Sequence, residues 1–420
     1  MLFSDDERTF TGPRPYAEPS YEYLDRSARP EAAAIRQTVS SWYRKYPEDG
    51  KADLTSRFKS LDDLQHKSAA FELYLHEIFR RLGCSLVVHP KTGSARATRP
   101  DFLVDSGFTK FYLEAVQSID FKSIDRSAEA RMNVVYDTIN RLSSENFFIA
   151  VDYKGAPNTP PSGRKLRSVL EKWLNSLDPD QVIADVAAQG NAALPTHEKT
   201  LEGWELTFTA IPRAPERRNK PTGGIIGVRA GEARYLNTSE TIRDSLLAKG
   251  ARYGELDLPL VVAVNANVDH LDRMDIMEAL FGQEQYILRS DSDEPEFKRA
   301  PIGFWHGPKQ GQFRYRRVSG AIFGFDVHPW TYGVRSLTYY ANPYAHQGVR
   351  GCISSLPRLI PLDGKMVDKC GRHPRDILNL ASPYPGVERN FGQRVLSACR
   401  FAADCIVIGS ARFLMSVSGT

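Results

Sequence analysis

The stretch RPDFLVDSGFTKFYLEAVQS, residues 99–118, constrains the fold more than any other part of the sequence. It is typical of two strands joined by a tight glycine turn, with Asp101 where the first strand begins and Glu114 inside the second. A buried carboxylate is costly unless it is paired, protonated or bound to a metal ion. Two carboxylates on adjacent strands repel each other until a cation lies between them. We therefore expect a compensating cation beside these two acids.

The composition is that of an ordinary globular protein. The 420 residues are 41% hydrophobic and 25% charged, which is enough for one large or two medium domains. The net charge of +4 is too small to indicate nucleic-acid binding by itself, so any basic face must be local. The five cysteines form no CxxC pair, which argues against a disulfide framework and a cysteine zinc site. This cysteine usage favours a reducing cytoplasm.

Other features exclude several classes of protein. The acidic, polar start MLFSDDERTF is unlike a signal peptide, and no run of about 18 apolar residues occurs, so we expect a cytoplasmic protein without a membrane partner. The sequence has no Walker loop, no GxGxxG after a strand and no GxSxG elbow. Nucleotide hydrolysis, NAD chemistry and α/β-hydrolase chemistry are therefore disfavoured.

The predicted elements up to residue 155 follow the order α-β-β-β-α-β. They are a helix over 59–83, a strand over 85–90, the two strands within 99–118, a helix from about 125 to 143 and a strand over 146–155. We expect an N-terminal arm with helices over 1–60, a core over 61–230, a further α/β portion over 231–340 and an irregular segment over 341–420. The α/β portion either extends the same sheet or forms a second domain.

Residues 65–153 resemble the PD-(D/E)XK, or restriction-endonuclease-like, nuclease superfamily. That family places a helical Glu, a strand Asp after Pro and a Glu-x-Lys on the next strand around one or two divalent metal ions. The matching residues are Glu72 in AAFELYLHE, Asp101 in RPDFLV and Glu114 in FYLEAV. The resemblance implies an α-β-β-β-α-β core with a central mixed sheet. It also implies hydrolysis of phosphodiester bonds, of DNA ahead of RNA, in host defence or repair.

The chemistry of these residue types agrees with that function. Phosphodiester hydrolysis needs a metal ion to activate water and to neutralise the phosphate. Mg²⁺ is usually held by one or two carboxylates together with water and phosphate oxygens. We expect Asp101 and Glu114 to bind Mg²⁺ or Mn²⁺, the carbonyl of Ala115 to be a third ligand and Glu72 to assist catalysis.

A basic loop lies beside the acids in the sequence. Lys91, Arg96 and Arg99 fall where a phosphate backbone would pass, so we expect them to bind nucleic acid. The sequence also leaves open a homodimer or another protein partner.

One residue departs from the family pattern. The lysine of that pattern falls two residues after the strand glutamate, where this chain has Val116. Gln117 is a candidate catalytic substitute, although regular strand geometry turns it to the other face and a bulge would be needed. A lysine from elsewhere is a second solution, with Lys67, Lys91 and Lys249 as candidates. In a third, the protein is inactive and binds nucleic acid or a protein without cutting.

Each acid also has a purely structural interpretation. Glu72 is then a solvated acid on a helix surface, Asp101 a strand-start residue after a proline, and Glu114 one half of a structural salt bridge. The burial and the partners of the three side chains distinguish these interpretations from the catalytic ones.

Overall fold

The fold was examined in a computed structural model, which describes part of the chain. The described residues are 1–93, 98–119, 125–201, 203–219, 224–231, 237–254, 256–268, 271–289, 292–306, 312–363 and 365–385. They form two compact units. The first unit comprises the described residues of Met1–Arg14, Glu18–Asp125 and Arg234–Gly386, and the second comprises those of Pro15–Ala17 and Arg126–Ala233.

Helices and strands are numbered in chain order. The helices are α1 (Ser20–Arg26), α2 (Pro30–Tyr43), α3 (Glu48–Phe58), α4 (Asp63–Arg81), α5 (Arg126–Asn140), α6 (Gly163–Asn175), α7 (Pro179–Gln189), α8 (Thr238–Gly250), α9 (Arg273–Phe281) and α10 (Pro374–Leu378). The strands are β1 (Ser85–Val88), β2 (Phe102–Asp105), β3 (Lys110–Ile119), β4 (Phe147–Lys154), β5 (Thr196–Leu201), β6 (Trp204–Pro212), β7 (Ile226–Gly231), β8 (Leu260–Asn267), β9 (Glu284–Arg289), β10 (Ser292–Arg299), β11 (Val318–Phe325), β12 (Leu337–Ala341), β13 (Arg358–Leu362) and β14 (Lys365–Lys369).

A large mixed sheet forms the centre of the first unit, in the order β1-β2-β3-β8-β11-β12-β13-β14. The three N-terminal strands form an antiparallel meander, whereas β8 runs parallel to both β3 and β11. The sequence LVVAVNAN of β8 suits this central position, because a parallel strand covered on both faces needs a continuous apolar run. The mixed α/β class expected from the sequence is therefore confirmed. Of the strands in the expected α/β portion, β8 and β11 belong to this sheet, whereas β9 and β10 form a separate two-stranded sheet.

Helices cover both faces of this sheet, and the pleat of β3 divides its side chains between them. Leu113 and Ala115 pack in one apolar layer with α4. Tyr112 and Val116 pack in the other layer with α8 and α9. Alternate residues of a strand point to opposite faces, so Glu114 shares the α8 face with its neighbours at 112 and 116.

The second unit has its own four-stranded sheet, in the order β5-β6-β4-β7. Strand β4 pairs there with β6 and β7, so the expectation that it belongs to the sheet of β1–β3 is wrong. Its half-buried alternation is satisfied by an apolar layer shared with α5 and α6. Such a pattern identifies a strand without specifying its sheet. The expected core over 61–230 thus spans parts of both units.

The order α-β-β-β-α-β nevertheless occurs within the first unit. It consists of α4, β1, β2 and β3, followed after the segment 126–233 by α8 and β8. The described part of 341–385 is less irregular than expected, because it contains β13, β14 and α10. Prolines made that region resemble a loop, and β13 indeed includes Pro361. Over the described residues, no helix is both long and apolar enough to cross a membrane.

Candidate active site

Glu114 is buried in the middle of β3 and is paired with a cation from α8. Its side chain is 1% exposed. Lys249 Nζ donates a hydrogen bond to Glu114 Oε1 at 2.5 Å, and the buried Tyr253 hydroxyl donates to Oε2. A guanidinium nitrogen of Arg252 lies 4.0 Å from the same Oε1. The carboxylate therefore has compensation from three residues that lie at the end of α8 or follow it.

Lys249 brings a positive charge to Glu114, which has no lysine two residues further along β3 because Val116 stands there. Val116 lies in the apolar layer under α8. An apolar side chain therefore occupies the position where the nuclease pattern has its lysine. The side chain of Lys249 is 25% exposed, so it extends from the protein surface to the buried carboxylate of Glu114. The other candidate lysines lie elsewhere, since Lys67 contacts Asn267 and Lys91 is exposed in its loop.

Asp101 lies just before β2. Its side chain accepts a β3 backbone hydrogen bond beyond the point where the β2–β3 ladder ends. The β2–β3 ladder ends at the pair Phe102–Leu113, and Asp101 Oδ2 accepts a hydrogen bond from the backbone N–H of Ala115 at 2.7 Å. The N–H and carbonyl of one strand residue point to the same edge. The carbonyl of Ala115 is therefore directed toward the side of the strand where Asp101 lies.

The surroundings of Asp101 disfavour its charged form. Burial and the neighbouring carboxylates of Glu114 and Glu72 raise the pKa of Asp101 well above its usual value. The hydrogen bond from Ala115 and the charge of Lys249 oppose that effect without overcoming it. A positive charge placed near Asp101 would therefore favour its charged form.

Glu72 is a buried acid of α4 and not a solvated surface acid, since it is 2% exposed. The Tyr46 hydroxyl donates to Oε1 at 2.5 Å, and Arg57 donates to Oε2 at 2.7 Å. Glu72 belongs to the α4 face of the sheet and Glu114 to the α8 face. The two glutamates therefore influence Asp101 from opposite faces, and each has a cationic partner of its own.

Gln117 is not brought to the acids. Its amide nitrogen donates to the backbone carbonyl of Lys67 at 3.1 Å, and its amide oxygen accepts from Asn267 at 2.5 Å. The register between β3 and β8 is unbroken from Tyr112 to Ile119, so no bulge turns Gln117 toward the face of Glu114.

Two of the three predicted nucleic-acid ligands can be located. Lys91 and Arg99 are exposed, and the backbone carbonyl oxygen of Arg99 lies 3.4 Å from the Tyr253 hydroxyl oxygen. Arg96 lies outside the described residues. Sequence reasoning missed Tyr253, which lies in the turn after α8 and belongs to none of the motifs recognised in the sequence.

The donor set can be tested against a divalent ion. Within the described ranges, no group of three or more His, Cys, Asp or Glu side chains is arranged to hold a metal ion. Mg²⁺ commonly takes only one or two carboxylates. Burial, followed by the carboxylates of Glu114 and Glu72, raises the pKa of Asp101, so a nearby cation would favour its charged form. Each oxygen of Glu114 has two lone pairs, so its hydrogen bonds leave acceptor capacity. Asp101, Glu114 and the carbonyl of Ala115 offer oxygen atoms, which are the ligand type that Mg²⁺ takes.

Comparisons of the chain with family models, curated proteins and solved structures found no match.

Proposed function

We propose that this protein is a metal-dependent nuclease that hydrolyses phosphodiester bonds, with DNA ahead of RNA as the substrate. The observation that carries the proposal is the contact of Lys249 Nζ with the Glu114 carboxylate, near Asp101, whose pKa is raised by burial and by the neighbouring carboxylates. The contact supplies a lysine at the strand glutamate from another element of the fold. The chain order α4-β1-β2-β3-α8-β8, whose four strands belong to one sheet, further supports the proposal, because the nuclease superfamily has an α-β-β-β-α-β core.

Each residue has a role in this proposal. Asp101 and Glu114 hold Mg²⁺ or Mn²⁺, together with the carbonyl of Ala115. A bound divalent ion supplies charge neutralisation at the phosphate and activation of the attacking water. Lys249 holds its ammonium group beside the same carboxylate, where it stabilises negative charge that develops on the phosphate. Glu72 is a positioning residue, since its negative charge affects the charge state of Asp101.

The surface around the site suits a polyanion. Lys91 and Arg99 are exposed beside Asp101 in the sequence, and Arg252 is 47% exposed next to Glu114. Their contacts would be with phosphate oxygens, which position a nucleic acid without reading its sequence. Such contacts also make binding weaker at higher salt. Host defence and DNA repair are the roles that the family resemblance favours for such an enzyme.

The decisive experiment measures cleavage of plasmid, linear duplex and single-stranded DNA, and of RNA, with Mg²⁺, with Mn²⁺ and with EDTA. The variants are Asp101→Asn, Glu114→Gln and Lys249→Met. Arg273→Met is the matched control, because it removes a cation from the surface pair Arg273–Asp368 in the same unit. We expect metal-dependent cutting that the three site variants lose and the control keeps. Cutting that survives all three substitutions would refute the proposed site.

The second candidate is a nuclease-like protein that binds nucleic acid or a protein partner without cutting. The observation that favours it is the pairing of both acids, since Glu114 is bonded to Lys249 and Tyr253, and Glu72 to Arg57. This candidate predicts DNA binding that is equal in the wild type and in Glu114→Gln, with no cleavage under any metal condition. Filter binding together with the cleavage assay on the same proteins would distinguish it from the enzyme, because only the enzyme cuts the DNA that it binds.

A further inference from the structure

A second polar cluster lies at another edge of the large sheet. Strands β3, β8 and β11 run parallel, so their carboxyl ends share one edge. Polar residues occur at each end, with Gln117 in β3, Asn267 ending β8 and Asp326 directly after β11. Ligands of open α/β sheets bind outside the carboxyl ends of the strands. This edge is therefore a natural place for a binding site.

Three basic side chains surround Asp326. Lys67 Nζ lies 3.6 Å from its carboxylate, His328 Nε2 lies 3.4 Å away and a guanidinium nitrogen of Arg335 lies 3.6 Å away. These distances exceed the roughly 2.7–2.9 Å of a tight charged hydrogen bond. The side chains of Lys67 and Arg335 are 30% and 34% exposed. The basic side chains thus contact Asp326 at longer distances than in a tight ion pair, and they remain accessible to solvent.

The loop that carries the cluster is held in one conformation. The buried amide of Asn265 donates to the Val327 carbonyl and accepts from the Val327 N–H, both at 2.8 Å. The Thr331 hydroxyl donates to the carbonyl of Asp326 at 2.7 Å. Asp326 itself has a φ of 46°, a left-handed conformation that aspartate tolerates better than most residues. The carboxylate is therefore placed by the strands and not by the cations around it.

Lys67 is fixed by a closed ring of hydrogen bonds. Its Nζ donates to Asn267 Oδ1 at 3.3 Å, Asn267 donates to Gln117 at 2.5 Å, and Gln117 donates back to the carbonyl of Lys67 at 3.1 Å. The ring joins α4, β3 and β8. It holds a long side chain that would otherwise lose rotamer entropy on binding a ligand.

The charges at this edge leave a positive excess. Lys67 and Arg335 contribute two positive charges against the one negative charge of Asp326. Although burial acts in the opposite direction, His328, Lys67 and Arg335 together lower the pKa of Asp326 to about 2. An ammonium group has three donors and a guanidinium five, so contacts with one carboxylate leave donors for a further acceptor.

We propose that the carboxyl edge of β3, β8 and β11 binds a phosphate group, with Lys67, His328 and Arg335 as donors and Asp326 as the carboxylate that holds them together. A phosphate is favoured over a carboxylate because a dianion with several acceptor oxygens can use donors from three directions. The site is distinct from the Glu114 site, which faces α8. The inference does not depend on nuclease activity.

Calorimetry in chloride buffer without divalent ions tests the proposal. The probes are inorganic phosphate, a nucleoside 5′-monophosphate, and one oligonucleotide with either a 5′-phosphate or a 5′-hydroxyl. Equal binding of the first two probes assigns the site to a free phosphate group. A preference for the monophosphate assigns it to a nucleotide, and a preference for the 5′-phosphate oligonucleotide assigns it to a strand end. Each of these outcomes supports the proposal.

The variants separate this site from general attraction of anions. We expect Lys67→Met and Arg335→Met to weaken binding of the tightest probe at least about tenfold, because each removes a charged donor. Lys67→Arg should retain most of the affinity, and Arg273→Met is the control. If circular dichroism shows that Lys67→Met or Arg335→Met is unfolded, His328→Gln is used in place of that variant. The proposal is overturned if no probe binds saturably, or if Arg273→Met weakens binding as much as Lys67→Met.

Discussion

Lys249 Nζ lies 2.5 Å from Glu114 Oε1, although the two residues are 135 positions apart in the chain. The contact joins the end of α8 to the middle of β3. It makes the strand glutamate tolerable in an apolar environment, and it is the feature from which the stability and the proposed chemistry of the site both follow.

A double-mutant cycle measures this contact. Lys249→Met or Glu114→Gln alone should each lower the free energy of unfolding by about 1–3 kcal/mol, because each leaves a partner group without its charged hydrogen bond. The double variant should lose less than the sum, since neither group then remains unpaired. Urea denaturation of the four proteins gives the coupling energy. Strict additivity would show that the pair contributes nothing.

Asp101→Asn should stabilise the protein near neutral pH in the absence of divalent ions. Since the folded state raises the pKa of Asp101, wild-type stability falls as pH rises from the unfolded pKa of about 3.9 through the folded value. The variant lacks that loss, so the difference in Tm should grow with pH across this window. Mg²⁺ should raise the Tm of the wild type only. Parallel stability curves for the two proteins would contradict the assignment.

Glu72→Gln should move the acid limb of the cleavage pH profile to lower pH. The negative charge of Glu72 raises the pKa of Asp101, so its removal makes Asp101 easier to ionise. Glu77→Gln is the matched control, because Glu77 is also buried in α4 and paired with Arg80 and Arg81. The expected result is a shift in the first variant and none in the control. A loss of rate at every pH without a shift would instead indicate a direct catalytic role for Glu72.

Gln117→Ala should leave the cleavage rate unchanged. Gln117 lies on the α4 face, and no bulge in β3 turns its side chain toward Glu114. The same substitution breaks the ring that holds Lys67, so it should weaken phosphate binding at the carboxyl edge. Cleavage kinetics and phosphate titration on one preparation check both expectations. A large loss of cleavage with phosphate binding intact would place Gln117 in the catalytic site after all.

The sequence predicted local features of this protein better than long-range ones. The strands around Asp101 and Glu114 could be predicted because alternation and a glycine turn are local signals. The sheet to which β4 belongs could not be predicted, because the half-buried pattern of this strand fits either sheet. Likewise, Lys249 was one of several candidate lysines, and only the parallel pairing of β3 with β8 brings α8 over Glu114. The basic cluster at Asp326 gave no sequence signal, since its members come from α4 and a loop far along the chain.

The interruption of the first unit by residues 126–233 has a consequence for protein synthesis. Because chains emerge from the ribosome N-terminus first, β3 with Glu114 is made long before α8 with Lys249. Throughout that interval the strand carries its carboxylate without its cation and without its neighbour β8. If cleavage requires both residues as proposed, a nascent or truncated chain that stops before α8 is harmless to the nucleic acids around it. In that case, the position of Lys249 in the chain delays the proposed activity until α8 has been synthesised.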